Sequence, residues 1–296
     1  MKPWVTKFVF GLGLLVALFF VCLAYSYFIE PNRLVVNKTT LKIKDWKPAF
    51  EGYKIVVLSD IHGGSNGVTP ARLREIVAKT NEQDADIVVL LGDYVSERPD
   101  DSLRMPVHEV ADGLAGITAK NGVYAVLGNH DGWFGDEIVA REFDRVGYRM
   151  MQNEVVTITR NGSNLRILGL KDIMRVTNGW QEFSKDAKRA LSLGDQTGDI
   201  IALDHNPDML PIITGKQLIS PDLKLMLAGH THGGQVWLPV FGTPIVPSSY
   251  GQKYSYGHVR ENDVDMFVTS GIGTSILPFR FMMPPEIAVL TIVRGD

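Results

Sequence analysis

Five short polar blocks carry the side chains in this sequence that could do chemistry. They are Asp60-Ile61-His62, Gly92-Asp93, Gly128-Asn129-His130-Asp131, Asp204-His205-Asn206-Pro207 and Gly229-His230-Thr231-His232. Carboxylate oxygen, imidazole nitrogen and amide oxygen are all donors of metal-ligand type. Of the 7 histidines, only His108 and His258 fall outside these blocks, and those two read as surface or core residues. Any one block alone is an ordinary hydrogen-bonded turn. Together they form a pattern, because each follows an apolar run. Open α/β sheets build their sites beyond the carboxyl ends of strands, so the five loops are expected to meet in one cleft.

The elements that would hold them are apolar runs at 54–58, 87–91, 123–127, 165–168, 200–203, 223–227, 266–269 and 287–293. Continuous apolar runs of this length suit strands covered on both faces. Helical patterns lie between them. Thr69 can cap a helix that starts at Pro70 and places Leu73, Ile76 and Val77 on one stripe. The 136–146 segment repeats the pattern with Ile138, Val139, Phe143 and Val146. Strands separated by helices predict an α/β layered fold, with no internal repeat or linker inside 53–296.

Composition adds a location. The 22 residues from Phe8 to Ile29 carry no charge, and as a helix they would reach about 33 Å, against a hydrocarbon core of roughly 30 Å. The chain therefore divides into a short tail (1–7), a transmembrane helix (8–29), a connector and edge segment (30–52) and a soluble domain (53–296). A cleaved signal peptide is the other reading, since Ala24-Tyr25-Ser26 loosely fits a cleavage site, although the apolar run exceeds the usual h-region of about 7–15 residues. Lys2 and Lys7 flank one side of the run; Arg33, Lys38, Lys42, Lys44 and Lys47 flank the other. The second group leans toward a cytoplasmic body under the positive-inside tendency, whereas a short positive N-terminal tail argues the reverse. Beyond the run, 28 Lys+Arg stand against 33 Asp+Glu, which gives no electrostatic reason to bind nucleic acid. The single cysteine, Cys22, lies inside the apolar run, so the soluble part has neither a disulfide nor a thiolate metal cluster.

Taken in order, Asp-x-His, Gly-Asp, Gly-Asn-His-Asp, His and Gly-His-x-His resemble the calcineurin-like metallophosphoesterases, over about 53–293. The resemblance implies a four-layer αββα sandwich of two facing mixed sheets, with a dinuclear metal centre between strand ends. It implies that Asp60, His62 and His232 bind one ion, that Asn129, His205 and His230 bind a second, and that Asp93 bridges them. Mn²⁺ suits this donor set first, with Fe or Zn²⁺ as alternatives, ahead of an all-oxygen Mg²⁺ cage. Two such ions, about 3.5–4 Å apart, would deprotonate a water at neutral pH and clamp phosphate oxygens. His130 is implied to be the catalytic residue that protonates the leaving group or stabilises developing charge. One position departs from the family. Ser96 stands where many relatives place a second aspartate, which leaves open what orients His130; Asp131 is adjacent in sequence.

The Gly229–Gln235 block, the Asp204–Asp208 block and the 271–287 tail resemble a membrane-linked bacterial subgroup of the YaeI, YkuE and LpxG type. That resemblance implies a membrane-anchored hydrolase of a phosphodiester or pyrophosphate bond in a lipid-linked substrate. The expected reaction is hydrolysis of UDP-2,3-diacylglucosamine in lipid A synthesis, by a single-pass protein of the bacterial inner membrane. An exported phosphodiesterase acting on cell-envelope polymers is the alternative. A non-catalytic membrane-tethered binding protein is a third reading, disfavoured by the complete ligand set. The apolar stretch Ile276, Leu277, Phe279, Phe281, Met282 and Met283 reads equally as acyl-chain contact or core packing. Trp133 is either pocket wall or core. Arg280, set among apolar residues, should have an anionic partner such as substrate phosphate.

Overall fold

Period-two alternation within the apolar runs decides the layering. In the computed structural model, which describes residues 2–173, 179–216 and 218–295, two six-stranded mixed sheets face each other. The first sheet runs β1 (Val35–Lys44), β12 (Glu286–Gly295), β2 (Tyr53–Leu58), β3 (Ile87–Leu90), β4 (Val123–Ala125), β5 (Arg149–Met150). The second runs β10 (Gly257–Glu261), β11 (Val264–Val268), β9 (Leu223–Ala228), β8 (Asp199–Leu203), β7 (Ser163–Gly169), β6 (Glu154–Arg160).

Ile55, Val57, Ile87 and Val89 point between the sheets, against Leu165, Ile167, Ile201, Leu203, Leu225 and Leu227. Their neighbours Val56, Leu58, Val88 and Leu90 point outward to a helical layer of α2 (Pro70–Asn81), α3 (Val107–Leu114) and α4 (Asn129–Arg145). On the far side, Leu168, Ile200, Ala202 and Met226 meet Phe183, Ala187 and Leu191 of α5 (Gly179–Leu193). Each such side chain gains about 1.5–3 kcal/mol from full burial. Both faces of the central strands are thus covered, and four layers result.

The parallel runs β2–β3–β4 and β7–β8–β9 place their carboxyl ends along one edge of the sandwich. Thr69 caps α2 by accepting from Arg72 N at 3.2 Å, with Pro70 in the first turn. The helix expected at 136–146 is the second half of α4. Gly135 (φ 149°, ψ 100°) interrupts α4 and separates this packed half from a first turn that belongs to the site.

The connector and edge segment, 30–52, is an integral part of the first sheet. Its strand β1 pairs in parallel with β12 from Val35↔Glu286 to Lys44↔Gly295, and Trp46 and Phe50 are fully buried. Only Leu41 and Ile43 of β1 are buried, so this edge strand lacks the continuous apolar run that marks the central ones.

Helix α1 (Pro3–Phe28) is long and apolar enough to cross a membrane, with a window of mean hydropathy 2.6 of which nothing is buried. It joins the sandwich through one tight turn, Glu30–Asn32, in which Glu30 and Pro31 are buried. The junction is tied down. Asn66 Nδ2 donates to Tyr27 O at 2.7 Å, Arg72 Nη2 donates to Asn32 O at 2.7 Å, and Arg280 N donates to Ser26 O at 3.0 Å.

Candidate metal centre

The five polar blocks do meet at the shared strand ends. Asp60 and His62 follow β2, Asp93 follows β3, Asn129 opens α4 after β4, His205 follows β8, and His230 and His232 follow β9. Three groups of potential ligand atoms form there: Asp60, His62 and His232; His62, Asp93 and His130; and Asp93, His205 and His230. Asp93 Oδ2 lies between the two sets, 3.5 Å from His62 Nε2 and 3.3 Å from His205 Nε2. On one side His232 Nε2 is 3.2 Å from His62 Nε2 and 3.4 Å from Asp60 Oδ1. On the other, His205 Nε2 is 3.2 Å from both Asn129 Oδ1 and His230 Nδ1. All seven residues expected as ligands are therefore brought together, in two sets sharing one carboxylate.

Backbone geometry sets these positions at a cost. Asp60, His62, Asp93, His230 and His232 all have φ between 45° and 69°. Left-handed backbone at non-glycine residues costs of order 1–3 kcal/mol each and persists where surrounding structure enforces it. The enforcement here comes from close backbone approach. A Cβ on Gly229 would meet Ser59 Oγ at 2.0 Å and Asp60 Oδ2 at 2.7 Å; one on Gly128 would meet Asp93 Oδ1 at 2.3 Å.

The donor set fits a cation. His62 Nδ1 faces the Val95 carbonyl at 3.0 Å and His205 Nδ1 faces that of Leu91 at 2.7 Å, so each carries its proton on Nδ1 and turns the Nε2 lone pair inward. Those lone pairs point at Asp93 Oδ2, acceptor against acceptor, an arrangement that a positive charge between them relieves. Without an ion, a proton fills that need. Burial opposes the charged form of His205, but the Asp93 carboxylate beside it holds its pKa well above 6.5. Burial equally opposes ionisation of Asp93, yet His205 and its neighbours hold that carboxyl well below its usual range. Burial pushes Asp60 up to about 6, and lowers His62 and His230 to about 4, which keeps both imidazoles neutral and able to ligate. When bound, two divalent ions would supply a nucleophile at neutral pH and positive charge against phosphate oxygens.

His130 stands at the edge of the same cluster. Its backbone N donates to Asp93 Oδ1 at 2.9 Å, and its ring packs edge-on against His62 at 5.0 Å and Trp133 at 4.8 Å. His130 Nδ1 is buried with no hydrogen-bond partner among the described residues. Asp131 does not orient this ring. It accepts four backbone N–H groups instead, from Asp93 and Tyr94 at 2.8 Å, Val95 at 3.2 Å and Gly128 at 2.9 Å. Asp131 thus clamps the Asp93 loop onto the start of α4, a role that adjacency in sequence could not reveal.

A cleft of about 360 Å³ opens beside the cluster, lined by His62, Ser96, Arg98, Arg104, His130 and the 274–278 loop. Trp133 is half exposed beside His130 and so is not core, and it is not among the residues that line this cleft. Arg280 is a correction. It is 0% exposed, and its guanidinium donates to the carbonyls of Gly273, Met283 and Ser270, with Nη2 3.4 Å from His232 Nδ1. Backbone oxygens occupy the place foreseen for phosphate, so Arg280 supports the ring of His232 from behind and does not face the cleft. Gln235 was missed as a structural link. Its side chain accepts from Ser275 N at 2.6 Å and donates to Leu277 O at 3.0 Å, latching the 275–281 loop to the Gly-His-Thr-His block.

A family model for calcineurin-like phosphoesterases matches residues 53–234. The chain belongs to that family. It is 30% identical over 270 residues to the metallophosphoesterase YkuE of Bacillus subtilis, covering 90% of this chain and 88% of the relative. It is 26% identical over 272 residues to the phosphodiesterase YaeI of Escherichia coli, covering 91% and 92%. A transmembrane protein with a metallophosphoesterase domain from Danio rerio is 28% identical over 90% of this chain, which spans 58% of that relative. Among solved structures, the NAD nucleotidase of Haemophilus influenzae superposes with a TM-score of 0.50 at 16% identity, over 75% of this chain and 50% of its own, and shares the fold. The chain is a metal-dependent phosphoester hydrolase with an N-terminal candidate for a membrane anchor.

Proposed function

We propose that this enzyme hydrolyses a phosphodiester or pyrophosphate bond in a lipid-linked substrate at the membrane, with UDP-2,3-diacylglucosamine as the compound to test first. One observation carries the reading. Pro278 lines the metal cleft and also lines an apolar groove of about 450 Å³ against Phe20, Leu23, Tyr27 and Phe28 of α1. The phosphate-cleaving site and the anchor share a wall, which suits a substrate with a phosphate at one end and acyl chains at the other.

In this reading Asp60, His62 and His232 would hold one ion, Asn129, His205 and His230 the other, and Asp93 would be shared between them. Mn²⁺ is the proposed ion, with Fe or Zn²⁺ as alternatives. His130 donates a proton to, or stabilises, the leaving oxygen. Trp133 flanks that position, and Arg98, Arg104 and Glu97 line the cleft. The cytoplasmic face of the bacterial inner membrane is the proposed location, supported by Arg33, Lys38, Lys42, Lys44 and Lys47 just beyond α1.

The test is full-length detergent-solubilised protein with Mn²⁺ and UDP-2,3-diacylglucosamine, read as UMP and a lipid monophosphate. An intact compound alongside cleavage of bis(p-nitrophenyl) phosphate would remove the substrate and retain the chemistry. Protease accessibility of the body in oriented vesicles separates a cytoplasmic enzyme from an exported one acting on envelope polymers.

A further inference from the structure

Two loops beside the cleft carry large apolar side chains that no described residue covers. A hairpin closed by the Leu238–Gly242 bridge exposes Val240 at 98% and Phe241 at 74%, and Ile245 follows at 73%. The neighbouring 275–283 loop exposes Ile276 at 95%, together with Leu277 and Met282. A bridge from Val236 to Phe281 joins the two loops, with Trp237 N donating to Phe281 O at 2.9 Å and Phe281 N to Gln235 O at 2.8 Å.

The backbone at these tips is as unusual as the exposure. Val240 (φ 75°), Ile276 (φ 61°) and Met282 (φ 52°) are all left-handed. A β-branched residue there is a conformational outlier. Polar or glycine residues would relieve both the strain and the contact with water, so an apolar β-branched residue at each tip needs an apolar partner.

The same loops run along α1. The Phe281 ring packs edge-on to Tyr25 at 6.3 Å, and Pro278 and Phe279 share a groove with Phe20, Leu23 and Phe28. Phe20 and Phe28 are about 12 Å apart along the helix axis. The 275–283 loop therefore reaches beside a stretch of α1 that the anchored reading above places in the bilayer.

We propose that the 238–245 hairpin and the 275–283 loop form a second membrane contact, seated at the headgroup–acyl boundary of the bilayer that α1 crosses. The partner is the lipid surface itself. Continuity with α1 sets the depth, and the apolar tips supply the buried area that interfacial seating requires. Ile276, Leu277 and Pro278 also line the metal cleft, together with Arg98, Arg104 and Glu97, so its mouth opens at headgroup level.

The test uses full-length protein in nanodiscs of phosphatidylethanolamine and phosphatidylglycerol, in a Cys22→Ala background. An NBD fluorophore is attached at Val240→Cys, Ile276→Cys or, as control, Leu193→Cys, an 80% exposed apolar position on α5. Doxyl groups on lipid chains should cut emission at least about twofold at 240 and 276, where aqueous iodide should quench weakly; position 193 should show the reverse. Equal iodide quenching and no doxyl quenching at all three positions would overturn the proposal. Mn²⁺-dependent cleavage of bis(p-nitrophenyl) phosphate by the proteins labelled at 240 and 193, neither of which lines the metal cleft, keeps the two readings apart. Hydrolysis without shielding refutes the seat alone; shielding without hydrolysis refutes the proposed activity alone.

Discussion

Replacing Gly128 with alanine isolates the close approach on which the position of Asp93, the proposed bridging carboxylate, depends. Gly128 has φ −102° and ψ −177°, an extended conformation that alanine adopts freely, so the substitution introduces no backbone strain of its own. The whole penalty comes from the new methyl group. Its carbon would lie 2.3 Å from Asp93 Oδ1 and 2.5 Å from Asp93 N, where ordinary contact needs about 3.4 Å or more. Backbone atoms form part of that wall, so rotating a side chain cannot relieve it. Asp93 has to move by about 1 Å, against a tolerance of roughly ±0.2 Å for metal–ligand distances. Overpacking of this kind costs about 1–3 kcal/mol, or on the order of 2–10 °C in Tm for a chain of this size. The metal centre should suffer far more, losing about 100-fold in Mn²⁺ affinity or in kcat/KM, because Asp93 is proposed to serve both ion sites. Thermal denaturation with and without Mn²⁺, together with diester hydrolysis, reads both effects. An alanine variant that keeps wild-type Mn²⁺ stabilisation and kcat/KM within about twofold would refute the argument that this contact sets Asp93.

Asp131→Asn should leave the metal-free Tm little changed yet lower Mn²⁺ affinity severalfold. Removing a buried carboxyl, pushed up to about 7 by burial and by Asp93, offsets the two N–H bonds that the amide cannot accept; a large fall in metal-free Tm would show that the bonds dominate. Metal uptake should expel protons. His205 is held protonated at neutral pH and must lose its proton to ligate, and Asp60, pushed up by burial to about 6, adds a second below that pH. Apparent Mn²⁺ affinity should therefore rise with pH and steepen below 6, by up to about tenfold per unit for each proton released. Calorimetry in buffers of different ionisation enthalpy measures the count, and a flat affinity from pH 5 to 7.5 would contradict it. Trp133→Ala should raise KM for an aryl diester about 3–10-fold with a smaller change in kcat, since the half-exposed ring packs edge-on to His130; an unchanged KM would return Trp133 to a packing role.

The sites that were legible in the sequence share a physical cause. Central strands buried on both faces must be apolar throughout, so Ile87–Leu90 and Leu223–Ala228 stand out, and a polar residue just past each end is conspicuous. Edge strands have one wet face, so β1, β6 and β10 blur into their loops. Arg280 shows a different limit. A guanidinium among apolar residues announces that it needs acceptors, but not whether they are phosphate or carbonyl oxygens; here Gly273, Ser270 and Met283 provide them. The clamp at Asp131 was equally hidden, since four backbone N–H donors leave no trace in residue type. Left-handed backbone at Asp60, His62 and Asp93 follows from where those side chains must point; Asp and His enter that region more readily than most residues, but that preference alone does not locate it.

The short junction at Glu30–Asn32 bears on kinetics. With one buried turn between α1 and the first strand, the catalytic body has no tether to swing on. On the proposed lipid-linked reading, a hydrolase mounted this way searches in two dimensions: it meets substrates that diffuse laterally into its own footprint. Its rate then tracks the mole fraction of substrate in the bilayer, and diluting that substrate with inert lipid slows turnover even when the bulk concentration is unchanged.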